Sequence, residues 1–144
     1  MDWRKEAAEE LREYEAKKTA LHSLPEDIAQ LKAGAYGLGG ASNSVPVKGG
    51  GSTWEGKQID RIVRHEKLET SLRHVTEWVE KVETGLAILD AEERLVLDRF
   101  FIHPAKGNVD RLCGELGLEK SAVYNRRDTA LRKYTLARYG CTEV

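Results

Sequence analysis

The fold is decided by Arg111-Leu-Cys-Gly-Glu-Leu-Gly-Leu-Glu-Lys-Ser-Ala-Val-Tyr-Asn-Arg-Arg-Asp-Thr-Ala-Leu-Arg-Lys-Tyr134. Two helices are legible in it, Val109–Leu116 and a longer one from about Glu119 to Tyr139, which Gly140 ends. Asn108 is placed to cap the first, and Gly117 lies where a tight turn needs a left-handed residue. Two helices that cross closely need a small residue inside the first, Gly in the turn and a branched apolar residue pinning the second. Cys113, Gly117 and Val123 fall at relative positions 5, 9 and 15 of that helix-turn-helix pattern. Leu112, Leu116 and Leu118 supply the neighbouring core.

On the second helix Val123, Ala130, Leu131 and Tyr134 read as the buried side. That turns Lys120, Ser121, Tyr124, Asn125 and Asp128 outward, with Arg126 and Arg127 at the edges. Charge agrees with an exposed, functional face. The chain as a whole carries a formal net charge of −1, yet residues 120–138 hold six basic side chains against Asp128 alone. A concentrated basic helix on a near-neutral chain has a polyanion footprint confined to one face. An Asn such as Asn125 suits an adenine edge, and Arg suits the N7/O6 edge of guanine. Lys120, Arg132 and Lys133 are better placed for phosphates, which position a protein without specifying sequence.

Working toward the N-terminus, Asp90 and Glu93 form a capping box that opens a helix over Ala91–Ile102, with Leu95, Leu97 and Phe101 as its buried side. His103-Pro-Ala-Lys-Gly107 is a loop, since Pro104 disfavours helix at the residue before it. Residues 53–89 form one long helix of about 55 Å. Along it Leu72, Val75, Val79, Val82, Leu86 and Leu89 alternate steps of 3 and 4, a heptad seam. Ile59, Ile62 and Val63 continue an apolar side, Ser52 and Glu55 can box its start, and Trp54 and Trp78 suit seam contacts. Such a narrow stripe needs a partner, either the N-terminal helix folded back or a second subunit, and a dimer that uses both is expected. Residues 34–52 are rich in Gly, Ser and Asn, with Pro46 and Gly49-Gly-Gly51, and are expected to be a flexible linker. They lack the Lys-Ser/Thr pair of a phosphate-binding loop. Residues 1–33 read as two helices. The first spans 3–22 with Ala7, Leu11, Tyr14 and Leu21 on one side, and a stop and restart at Ser23-Leu-Pro-Glu26 precedes a short second one carrying Ile28 and Leu31.

Composition excludes several classes. Charged residues make up 33% and aromatics 7%, which suits solvated helices that each bury one stripe rather than a large core. Cys113 and Cys141 are too few for a disulfide framework and fit a reducing cytoplasm, with Cys113 a small packing residue. No apolar run is long enough to cross a membrane, and the charged opening Met1-Asp-Trp-Arg-Lys-Glu6 is unlike a signal peptide. His22, His65, His74 and His103 are scattered without metal-ligand spacing, so no metal and no cofactor is expected. The carboxylates sit on solvated helix faces, where pairing with Lys and Arg explains them. An enzyme is not expected.

Leu89-Asp-Ala-Glu-Glu-Arg-Leu-Val-Leu-Asp-Arg-Phe-Phe101 resembles the first helix of region 4 of bacterial sigma factors. The stretch Arg111–Tyr134 resembles its helix-turn-helix without a gap, down to the closing Ala130-Leu-Arg-Lys133. One departure stands at Glu119, where the family's usual Ser or Thr cap is missing; Glu caps poorly, so the helix start is expected at Lys120 or Ser121. The whole layout is similar to the phage ArpU/RinA-type regulators of late genes, which join an N-terminal helical segment, a Gly-rich stretch like Val47-Lys-Gly-Gly-Gly-Ser52, a long helix and a sigma-like unit. The resemblance implies an all-α chain with N-terminal helices (1–33), a linker (34–52), an assembly helix (53–89) and a DNA-binding domain (90–144). It further implies a transcription regulator on double-stranded DNA in the cytoplasm of a bacterial host, with RNA polymerase as a second partner. Two alternatives stand beside it. One is a small terminase-like protein of DNA packaging, and the other is a polymerase-binding module that never reads DNA.

Overall fold

A computed structural model describes residues 1–35 and 54–143. The chain is all-α, and no strand occurs among the described residues. Among the described residues five α-helices follow in order: α1 (Trp3–Ala35), α2 (Trp54–Ala87), α3 (Ala91–Leu97), α4 (Asn108–Leu116) and α5 (Lys120–Tyr139). A π-helical turn, Asp98–Ile102, continues α3. Most of the expected linker, the Ser52 half of its capping box and the side chain of Trp54 lie outside the described residues. Contacts group the chain into two compact units, Met1–Lys17 with Trp78–Val144, and Lys18–Glu77.

In the unit Lys18–Glu77, α1 does not stop at Ser23 as the sequence suggests but runs through Pro25 unbroken. Pro25 has no N–H to give and costs a helix interior on the order of 3 kcal/mol. Ser23 does not cap a new helix; its hydroxyl turns back to the carbonyl of Ala20. Tertiary packing wins over the local stop signal. Ile28 is buried three residues past Pro25, and Arg61 donates to the carbonyl of Gly34 at 2.8 Å. An open groove runs between Pro25, Ile28 and Lys32 on one side and Glu69, Leu72 and Thr76 on the other. The apolar side expected of Ile59, Ile62 and Val63 exists but is not buried, since these residues are 60%, 55% and 42% exposed.

In the unit built on the chain ends, Ala7, Leu11 and Tyr14 of α1 are buried together with Val79, Val82 and Leu89. The Tyr14 hydroxyl donates to Glu83 at 3.0 Å, and the Lys17 ammonium lies 4.1 Å from the ring centre of Trp78. The seam therefore holds at Val79, Val82 and Leu89, while Leu86 is half-buried. The Asp90–Glu93 capping box forms in both directions, at 2.8 and 3.1 Å. Arg94 closes the preceding helix by donating to the carbonyls of Leu86 and Ala87, the first of which also accepts the N–H of Leu89.

Beyond Leu97 the sequence reading needs correction. His103 N–H bonds the carbonyl of Asp98, five residues back, so Asp98–Ile102 is wound more widely than an α-helix. Upstream of the turn, Leu95 and Leu97 stand two residues apart in regular α-helix and so cannot share one buried side. Leu97 and Phe101 are buried as expected, but Leu95 is only half-buried and Val96 is fully enclosed. Val96 joins Leu112 and Val123 in a cluster that Phe100, Val109, Cys113 and Leu118 close from outside. Asn108 is not the cap of α4. Gly107 takes that place with φ +81°, and the buried Asn108 amide donates to the carbonyls of Arg99 and His103 at 2.6 and 3.3 Å. Its side chain ties α4 to the wide turn instead of satisfying its own helix end.

Candidate nucleic-acid interface

Gly117 adopts φ +66° and returns its N–H to Cys113, and Leu118 N–H bonds the same carbonyl. An L-residue with a Cβ rarely takes that conformation, so glycine sets the angle at which α5 leaves α4. Glu119 precedes α5 in extended backbone and makes no side-chain cap, so the helix starts at Lys120. Its first turn carries no acidic residue.

Val123, Ala130 and Tyr134 are completely buried and hold α5 along one line. Leu131, expected beside them, is half-buried, and Thr135 is fully enclosed with its hydroxyl on the carbonyl of Leu131 at 2.6 Å. On the opposite line Ser121, Asn125, Asp128 and Arg132 follow at steps of 4, 3 and 4, all exposed. Tyr124 is exposed at their edge. A shallow groove of about 350 Å³ opens beside its ring, walled by Phe100, Pro104 and Val109.

The cations are less free than the sequence suggests. Arg126 pairs with Glu92 of α3 at 3.0 Å, and Lys133 pairs with Glu93 at 3.1 Å. Lys120 approaches Asp110 of α4 at 3.5 Å, with both groups well exposed. Arg127 pairs with Asp128 at 2.9 Å and lies 5.2 Å and 5.0 Å from the ring centres of Phe100 and Tyr124. Those rings are themselves 5.8 Å apart, so Arg127 braces Tyr124 rather than reaching outward. Arg138 is turned inward to Glu10. Among the described residues Arg132 alone of these six cations has no carboxylate partner. The expected interface residues thus come together on one helix, but only Ser121, Asn125, Tyr124 and Arg132 present themselves unpaired by charge. Sequence reading missed Glu92, Asp110 and Phe100. Glu93 was visible only as a cap, since nothing in the local pattern announces a partner 40 residues away on another helix.

Among the described residues no His, Cys, Asp or Glu group is arranged to hold a metal ion, and no helix is long and apolar enough to cross a membrane. Compared with known proteins, the chain matches no family model, no curated protein and no solved structure.

Proposed function

We propose that this chain is a sequence-specific regulator of transcription that binds double-stranded DNA with α5, of the phage late-gene kind that its sequence resembles. In this reading α3, α4 and α5 form a sigma region 4-like helix-turn-helix, and α1 and α2 form a helical hairpin that assembles the chain as a dimer. RNA polymerase is the second partner, and the working place is a bacterial cytoplasm.

The observation that carries the reading is the two-sidedness of α5. One line of the helix is fully buried at Val123, Ala130 and Tyr134, and the opposite line shows Ser121, Asn125, Asp128 and Arg132 to solvent. The major groove admits one α-helix, and amide and guanidinium side chains pair with base edges there. A helix fixed from behind can hold such groups in register. The exposed Tyr124 ring, braced by Arg127, adds a rigid apolar contact of the kind a thymine methyl accepts.

Sequencing of duplex fragments retained by the protein identifies the site, and titration at several salt concentrations tests the contact. Affinity is expected to fall with salt, since each phosphate contact releases counterions. Asn125→Ala is expected to weaken the selected site by about tenfold to a hundredfold, and random duplex hardly at all. A salt slope of zero, or equal loss on both duplexes, overturns direct reading by this helix.

A further inference from the structure

The pairs on one edge of α5 have a common geometry. Arg126 and Lys133 are two turns apart, and each is met by a carboxylate from the start of α3, Glu92 and Glu93. Neither cation is buried; the side chains of both are 54% exposed. Glu93 is only 14% exposed and is fixed a second time, because its carboxylate also accepts the N–H of Asp90 at 3.1 Å. The two anions are therefore delivered by a rigid, capped helix end to two solvent-facing cations. A carboxylate that accepts from a guanidinium or an ammonium at about 3 Å makes the same charge-assisted bond as a phosphate oxygen.

We propose that this edge of α5 is a phosphate-binding edge held occupied by the protein's own Glu92 and Glu93. The inference rests on the DNA reading above and deepens it. On random duplex the carboxylates keep their cations, since exchange of one exposed ion pair for another gains almost nothing. On the right sequence the contacts of Asn125, Tyr124 and Arg132 bring the backbone close enough for Arg126 and Lys133 to turn to phosphate. The device trades sequence-independent affinity for discrimination. It also accounts for a basic helix on a chain of formal net charge −1, since the acidic partners lie beside the bases they answer. The Lys120–Asp110 contact is longer and freely solvated, so its share is smaller.

The test is the double substitution Glu92→Gln and Glu93→Gln in the full chain. Glutamine keeps the size and the acceptor oxygen of glutamate, so the capping box is retained, which circular dichroism and thermal unfolding check. Binding is measured on random duplex and on the selected site across a salt series. The variant is expected to bind random duplex about tenfold more tightly at low salt, with a logarithmic salt slope steeper by about 1 to 2. The selected site is expected to gain about threefold or less, so discrimination falls. Adding Arg126→Gln to the variant is expected to reverse about half of the gain on random duplex. A folded variant with unchanged random-duplex affinity and slope overturns the inference while leaving DNA reading intact. Equal gains on both duplexes overturn it as well. If the wild-type chain binds neither duplex, the DNA reading fails and this inference with it.

Discussion

The solvent-facing stretch of α5 and its far end put their basic residues to different use. Lys120, Arg126 and Arg127 in the first half, with Arg132 and Lys133 just past the middle, stay at the surface, and those with a carboxylate partner meet it at the surface. At the far end Arg138 is 18% exposed and donates to Glu10 of α1, itself 8% exposed, at 2.9 Å. The same carboxylate accepts the hydroxyl of Tyr134 at 2.6 Å and that of Tyr139 at 2.9 Å, and Trp3 stacks on Tyr139 with centroids 4.8 Å apart. A buried carboxylate costs several kcal/mol unless its oxygens are matched by donors, and here three donors meet it. One cation of the helix thus belongs to its foundation rather than its reading face. Counting charges along a helix overstates a polyanion footprint by the members that packing has already claimed.

If the far end, where Tyr134, Arg138 and Tyr139 meet Glu10, is the foundation, damage there should be the most costly. Tyr134→Ala removes a fully enclosed ring and the donor at Glu10 together, and is expected to cost about 3–5 kcal/mol of stability in denaturant unfolding. A loss below about 1 kcal/mol would mean that the contacts at Glu10 are not the anchor. Asn125→Ala in the near half serves as the contrast, with stability within about 0.5 kcal/mol of the parent.

A gentler probe reaches the same ring from behind. Gly85 of α2 is buried, and a Cβ there would stand 2.9 Å from Cε2 of Tyr134. In an exposed helix Gly→Ala would stabilise by up to about 1 kcal/mol. Here overpacking against a ring that is bonded at its far end costs about 1–3 kcal/mol. The expected net result for Gly85→Ala is a loss of about 1 kcal/mol, measured by thermal unfolding, and a gain would show that Tyr134 has room to retreat.

These anchoring contacts also mark the limit of what the residues disclose in a row. The Asp90–Glu93 box, the left-handed Gly117 and the buried Val123 were all legible, because each is set by neighbours within a turn or two. The start of α5 was legible only as a range, since Glu119 offers a cap that it does not use. Pro25 misled in the other direction, as a local stop signal overridden by packing of Ile28 and its neighbours. The wide turn at Asp98–Ile102 had no local signature, and grouping Leu95 with Leu97 fails because a helix turns residues two apart to opposite sides. Asn108 reads as a cap by type, yet its amide serves carbonyls on the turn before it. The exposed line of α5 could be projected from its buried one. Glu10, Glu92 and Glu93 could not be placed against it, because their pairing depends on how helices meet.

The tyrosines at Glu10 allow the anchor to be followed by pH as well as by mutation. Burial first, and then the hydrogen bond to Glu10, push the Tyr134 hydroxyl well above its ordinary value of 10.0, and the same two causes in the same order raise Tyr139. Tyr14, bonded to Glu83, is pushed up to about 12, again chiefly by burial. A raised value means that the folded chain holds a proton which the unfolded chain releases. The stability tied to these groups is therefore complete below about pH 10 and is lost as pH rises beyond it. For one enclosed tyrosine the loss approaches about 1.4 kcal/mol per pH unit. Tyr134→Phe keeps the ring and removes the titrating group. It is expected to lower stability by about 1 kcal/mol near neutrality, since Glu10 loses one of its donors. Above about pH 10 the variant should lose stability less steeply than the parent, so that the two unfolding curves converge. Lysines and the other tyrosines titrate in both proteins and cancel from the difference. Curves that stay parallel through that range would show that the hydroxyl of Tyr134 ionises as freely folded as unfolded, and the anchor at Glu10 would then be no better sheltered than the line of α5 that faces solvent.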